Sequence, residues 1–122
     1  MTNLEQHLTR QMAFSRATYG PGERRKGVCD HIRKEIEKEI LKDGVDAADA
    51  ATEFVDLVLL SLDGLWRALE ASGVEWERIP YVATQMITAK QGRNEQRVWP
   101  DWRTMSADKA IEHDRTVPEV IS

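Results

Sequence analysis

Leu4, His7, Leu8, Met12 and Ala13 recur at helical spacing, so residues 3–17 predict a first helix. The stretch TYGPGERRKG (18–27) interrupts that period with two glycines and a proline, and it ends in a basic cluster. A second helix is predicted over 28–42. In KDGVDAADA (42–50) a turn leads into an Asp-rich helix start, where acids favour the positive end of the helix dipole. The third helix runs on to about residue 71, and SGVEWER makes the next connection. Pro80 suits the first turn of a fourth helix over 79–93. Beyond it VWPDWRTM is irregular, Ser106 is positioned to cap a short helix over 107–115, and residues 116–122 read as an extended or loose tail. No segment alternates as a strand does, so the pattern predicts an all-α domain, a four- to five-helix bundle.

Within that pattern the acids stand out. Glu53 and Asp56 lie one turn apart in TEFVDLVLLSLDGLW (52–66), a run otherwise almost wholly apolar, and Asp63 continues their stripe two turns on. Burying an ionised carboxylate is unfavourable unless a cation or a metal compensates it, and residues 44–65 contain no Lys or Arg. On the second helix, taking about 100° per residue with Glu35 at zero, Cys29, Ile32, Ile36 and Ile40 fall between about 60° and 140°. That is its core face, and Cys29 on it reads as a packing residue. Glu35 and Glu39 border the same face, whereas Glu37 points away at about 200°. Two glutamates at i and i+4 repel by roughly 0.2–0.5 kcal/mol on an isolated helix, and a shared cation reverses the sign. Glu35, Glu39, Glu53 and Asp56 are therefore the expected metal ligands and catalytic acids, with Glu37 the alternative to Glu39. Neither acidic pair carries the Glu-x-x-His pattern of di-iron bundles, which favours two or more hard Mg²⁺ or Mn²⁺ ions over redox iron.

Composition narrows the class. At 122 residues the chain reads as one domain, 1–122, with 41% hydrophobic and 31% charged residues. A net charge of −4 disfavours a nucleic-acid partner. The longest apolar run, 54–62, holds Asp56 and is too short for a bilayer, and the polar start lacks a signal-peptide core. With a single cysteine, these features suggest a cytoplasmic protein with no membrane partner. No Ser-His-Asp or Cys-His arrangement is evident, leaving a metal-activated water as the best nucleophile.

The segment AKQGRNEQRVWPDWR (89–103) carries the second signal. Lys90, Asn94 and Arg97 share a helix face at i, i+4 and i+7, a plausible grip for a polyphosphate. Trp99, Pro100 and Trp102 are expected to pack over the helix end, with Asp101 holding Arg97 or Arg103. Arg24, Arg25 and Lys26 form a weaker phosphate candidate without a P-loop pattern. His7, His31 and His113 are scattered. His31, one turn before Glu35, is a candidate support for that acid.

The E-x-x-x-E (35–39) and E-x-x-D (53–56) helices resemble the MazG-like all-α nucleoside triphosphate pyrophosphohydrolases. GVCDHIRKE (27–35), EFVDLVLLSLDGLWRA (53–68), AKQGRNEQRVWPDW (89–102) and KAIEHDR (109–115) resemble more closely the phage and bacterial dATP/dGTP pyrophosphohydrolases. That resemblance implies hydrolysis of a purine deoxynucleoside triphosphate to the monophosphate and pyrophosphate. It also implies a homo-oligomer, dimer or tetramer, and in a phage a supply of dGMP for a modified purine in the host cytoplasm. Related sequences place the second helix's acids three apart, where this chain has Lys38, so Glu39 rests on the helix geometry. The alternatives are a dUTP or dCTP pyrophosphohydrolase of the same superfamily, and a non-catalytic helical interaction module. The last would need Arg partners for the acids at 53–56.

Overall fold

The computed structural model describes residues 1–118, all-helical with no strand among them. Four α-helices follow one another: α1 Asn3–Tyr19, α2 Arg25–Glu35, α3 Ala47–Ala71 and α4 Ile79–Gln96. A π-helical turn, Ile36–Ile40, extends α2, and 3-10 turns occupy Trp76–Arg78 and Trp102–Thr104. None of the described helices is long and apolar enough to cross a membrane.

Local chemistry sets the boundaries. Thr2 caps α1 by accepting from the Glu5 amide at 3.2 Å, and Asp46 caps α3 by accepting from the Asp49 amide at 2.8 Å. α3 ends in a Schellman motif: Val74 N–H donates to Leu69 O at 3.0 Å and Gly73 N–H to Glu70 O at 3.0 Å. Gly73 takes φ 106° there, a conformation costly for any residue with a Cβ.

The chain forms two compact units, Met1–Thr84 and Gln85–Ser122. In the first, α2 packs along α3 and α1 packs on α3. Its core joins Leu8 and Met12 of α1, Leu62, Trp66 and Leu69 of α3, and Ile79 and Ala83 at the start of α4. Trp66, fully buried, meets Trp76 edge-on with ring centroids 5.5 Å apart. In the second unit Trp99 folds back on its own helix end, its Nε1 donating to Asn94 O at 2.8 Å. Its ring meets His113 edge-on at 5.7 Å, and Asp114 N–H donates to Val98 O at 2.7 Å.

Four expectations need correction. Residues 107–115 form turns and irregular backbone instead of a helix, and Ser106 Oγ closes a local turn by accepting from Asp108 N–H at 3.1 Å. Cys29 is exposed, because Val28 and not Cys29 is the buried residue of α2. Trp102 is 69% exposed, with the Arg103 guanidinium 5.5 Å from its ring centre, whereas Trp99 folds back on the helix end. Asp63 leaves the acidic stripe altogether, buried in an ion pair with Arg67. Of the tail, residues 116–118 form a turn in which Thr116 donates to Asp114, and 119–122 lie outside the described residues.

Candidate active site

The C-terminal turn of α2 lies against the N-terminal half of α3, and carboxylates converge there. Glu35, Glu53 and Asp56 each offer an oxygen within 4.8 Å of the others. Glu53 and Asp56 are one turn apart on α3, so both reach the same side, where Glu35 ends the regular part of α2. All three are half-buried. Among the described residues the structure records no ion pair from a Lys or Arg to any of them, and His31 Nε2 lies 3.5 Å from Glu35 Oε1. The other Glu35 oxygen, Oε2, is buried without a hydrogen-bond partner. A buried carboxylate oxygen left bare is unfavourable by about 1–3 kcal/mol or more, so its position suits a ligand the chain itself does not supply.

The same crowding acts on protons. Glu53 is held above the usual carboxylate range, first by loss of hydration, then by a hydrogen bond with Glu35 and by repulsion from Glu35, Glu39 and Asp56. Three hard oxygen donors, an orphaned buried oxygen and an acid that resists ionisation together fit a divalent cation.

Glu39 stands outside this trio. It is exposed and borders a shallow depression with Lys42, Val45, Asp49, Thr52 and Glu53. Its place follows from the π turn: Leu41 N–H donates to Ile36 O at 3.0 Å, five residues back, so the turn holds one more residue than an α turn. An angle computed at 100° per residue drifts over that segment. Glu39 is nonetheless near enough to disfavour ionisation of Glu53, and Glu37 is exposed and absent from the group.

Lys90, Asn94 and Arg97 belong to the second unit, on and just past the end of α4, where Arg97 Nη1 donates to Asn94 Oδ1 at 2.9 Å. Asp101 holds Arg103 at 3.3 Å. Arg24, Arg25 and Lys26 ring an open depression with Glu23, and Arg25 pairs with Glu23 at 3.3 Å.

A network that the sequence did not disclose braces α1 and α3. Asp63 Oδ1 accepts from Ser15 Oγ and from Trp66 Nε1 at 3.0 Å, and Asp63 Oδ2 accepts from Arg67 Nε at 3.0 Å. Arg67 then donates to Gly20 O and Gly22 O, both at 2.8 Å, and to Ser15 Oγ at 3.0 Å. Both glycines have φ 90°, which turns their carbonyls toward the guanidinium. One signal was available: Asp63 and Arg67 stand at i and i+4 in an apolar helix, a pairing register. Nothing in the sequence pointed to Ser15.

An all-helical chain with an acidic cluster between two packed helices is of the MazG-like pyrophosphohydrolase type. The family model for dATP/dGTP pyrophosphohydrolase matches residues 8–117, and the chain belongs to that family. It is therefore a hydrolase acting on a phosphoanhydride bond, with a purine deoxynucleoside triphosphate as the substrate class. No curated protein and no solved structure matches the chain.

Proposed function

We propose that the protein hydrolyses dGTP, dATP or both to the monophosphate and pyrophosphate in a reaction dependent on Mg²⁺ or Mn²⁺. Glu35, Glu53 and Asp56 would hold the metal, with Glu39 joining when a second ion binds. The observation that carries this reading is the trio of half-buried carboxylates with oxygens within 4.8 Å of one another, one of them bearing a buried oxygen without a hydrogen-bond partner. Bound there, a hard divalent cation supplies charge neutralisation for the triphosphate and acidifies water.

The chain's own groups do the rest. Water attacks the α-phosphorus, its proton passes to a carboxylate, and the bond between the α-phosphorus and the bridging oxygen breaks to release pyrophosphate. A carboxylate not fully committed to the metal, Glu39 or Glu53, would take that proton. His31 lies against one Glu35 oxygen, while the other is buried without a hydrogen-bond partner. Lys90, Asn94 and Arg97 are assigned to the phosphates, for which two cations and an amide are apt chemistry.

Assembly belongs to the same reading. Phe54, Val55 and Val58 are each 56% exposed on α3, an apolar stripe suited to a second copy in a homo-oligomer, dimer or tetramer. The whole chain would then act as one catalytic domain in the cytoplasm, trimming a purine deoxynucleotide pool. In a phage it would also supply dGMP for a modified purine.

Product analysis tests the reading. The protein is incubated with each deoxynucleoside triphosphate and Mn²⁺, Mg²⁺ or EDTA. Metal-dependent dGMP or dAMP with pyrophosphate is expected. Orthophosphate and a diphosphate, or turnover confined to dUTP or dCTP, would refute it.

A further inference from the structure

Of the three histidines, His7 is bonded to Gln11 at 2.8 Å and His113 turns its ring to Trp99. His31 differs from both. Its Nε2 lies 3.5 Å from Oε1 of Glu35, one turn along α2. It also lines a cavity of about 290 Å³ between α1, α2 and α3, beside Phe14, Val28 and Leu59. Yet His31 is absent from the group formed by Glu35, Glu53 and Asp56, whose oxygens gather within 4.8 Å of one another. It meets the cluster through one acid without joining it.

Glu35 is the acid that needs such a neighbour. Glu53 and Asp56 project from well inside a 25-residue helix, whose regular backbone fixes their direction. Glu35 is the last regular residue of α2, and the next five residues form the π turn. The side chains one turn on, Lys38 and Glu39, therefore sit in a backbone of different period, and both are exposed. The position one turn back is still α-helical, and His31 occupies it. The two stand at i and i+4, a spacing at which side chains on a helix meet. An ionised carboxylate only accepts, so the imidazole meets Oε1 as an N–H donor. At 3.5 Å the contact is long, of the kind that shortens when a site is loaded. The other oxygen, Oε2, is buried without a hydrogen-bond partner.

We propose that His31 is a positioning residue for the metal site: it fixes the Glu35 carboxylate by one oxygen and so presents the other to a divalent cation. The inference rests on the pyrophosphohydrolase reading and deepens it. Groups that hold a ligating side chain by hydrogen bonds set its orientation, and removing them lowers metal affinity by about 10–100-fold. Stabilising the fold is the weaker account of the pair, because its side chains are 51% and 20% exposed and open ion pairs add little to stability. Direct ligation is the weaker account of the imidazole, since its nitrogens lie outside the 4.8 Å group of donor oxygens.

The test is titration of the nucleotide-free full chain with Mn²⁺, the free ion read by electron paramagnetic resonance, for wild type, His31→Gln and His31→Leu. Circular dichroism checks that each variant folds. Gln keeps an N–H donor at about the reach of Nε2, and Leu keeps bulk beside the cavity without a donor. Mn²⁺ affinity should weaken by about 10–100-fold in His31→Leu and stay within about threefold of wild type in His31→Gln. The metal-free melting temperature of both should stay within about 4 °C of wild type, as for an exposed pair. In dGTP hydrolysis, the Mn²⁺ concentration giving half the maximal rate should rise by the same factor as the dissociation constant. Wild-type Mn²⁺ affinity in folded His31→Leu would overturn the positioning role even if wild type turns over dGTP. Equal losses in His31→Gln and His31→Leu would overturn it too, making His31 a ligand itself. Failure of wild type to bind Mn²⁺ would overturn both the metal site and the role of His31. Conversely, the expected order of affinities in a protein that hydrolyses no nucleotide would uphold His31 and overturn the activity.

Discussion

Replacing Arg67 by alanine should be the most damaging single change outside the apolar core. The guanidinium is 1% exposed and Asp63, its partner, 9%. Truncation leaves the Asp63 carboxylate buried beside Ser15 and Trp66 without a cation, and it strips the Gly20 and Gly22 carbonyls of their donor. Breaking a buried pair from one side destabilises by roughly 3–5 kcal/mol, against a total stability of about 5–15 kcal/mol for a domain. Urea unfolding followed by circular dichroism, at fixed protein concentration and in EDTA, reads this directly. With a slope of about 1–3 kcal/mol per molar, the midpoint should fall by roughly 2 M. The double variant Asp63→Asn with Arg67→Met removes the stranded charge and should recover much of the loss, the sign of a coupled pair. A loss below about 1 kcal/mol for Arg67→Ala, the figure for a surface ion pair, would refute the view that this network braces the α1–α2 turn.

Three further outcomes follow from the acidic cluster. Asp56→Asn should lower metal-dependent turnover on the order of 10³-fold yet raise the melting temperature of the metal-free protein by relieving repulsion; retained activity would remove Asp56 from the ligand set. Glu39→Gln should weaken Mg²⁺ binding by about 10–100-fold while Glu37→Gln changes it by about twofold or less, and calorimetric titration giving the reverse order would make Glu37 the second acid. The third outcome concerns pH. Glu53 binds its proton more tightly in the fold than in the unfolded chain, so its contribution to stability is present at low pH and lost as pH rises through the raised value. Metal-free wild type compared with Glu53→Gln should show that loss, and saturating Mg²⁺, which competes with the proton, should abolish it; an opposite slope would refute the raised value.

Period and punctuation made the helices legible. The 3.6-residue apolar recurrence, the glycines and proline of 18–27, the Asp-rich start of α3 and Pro80 in a first turn act within a few residues, so the chain declares them locally. The acids at 53 and 56 were legible for a related reason: charge inside an apolar helix requires compensation, wherever the partner comes from. Elsewhere a helical wheel alone was not enough. Over Ile36–Ile40 the π turn shifts the angle that places Glu39, and within regular α2 Cys29 is exposed because the helix buries Val28 against its neighbours.

The sequence by itself determined an all-helical chain with two acidic helices, because helical period, caps and buried charge are properties of neighbours along the chain. Only the tertiary structure decided which carboxylates meet. Glu35 reaches Glu53 and Asp56 from eighteen and more residues away, and that meeting depends on how α2 lies on α3. The same packing decided that Asp63, equal to the others in sequence, would turn to Arg67 and Ser15. One acid became a brace because the packed core placed the Arg67 guanidinium within its reach, and three became a candidate site because α2 brought Glu35 to Glu53 and Asp56.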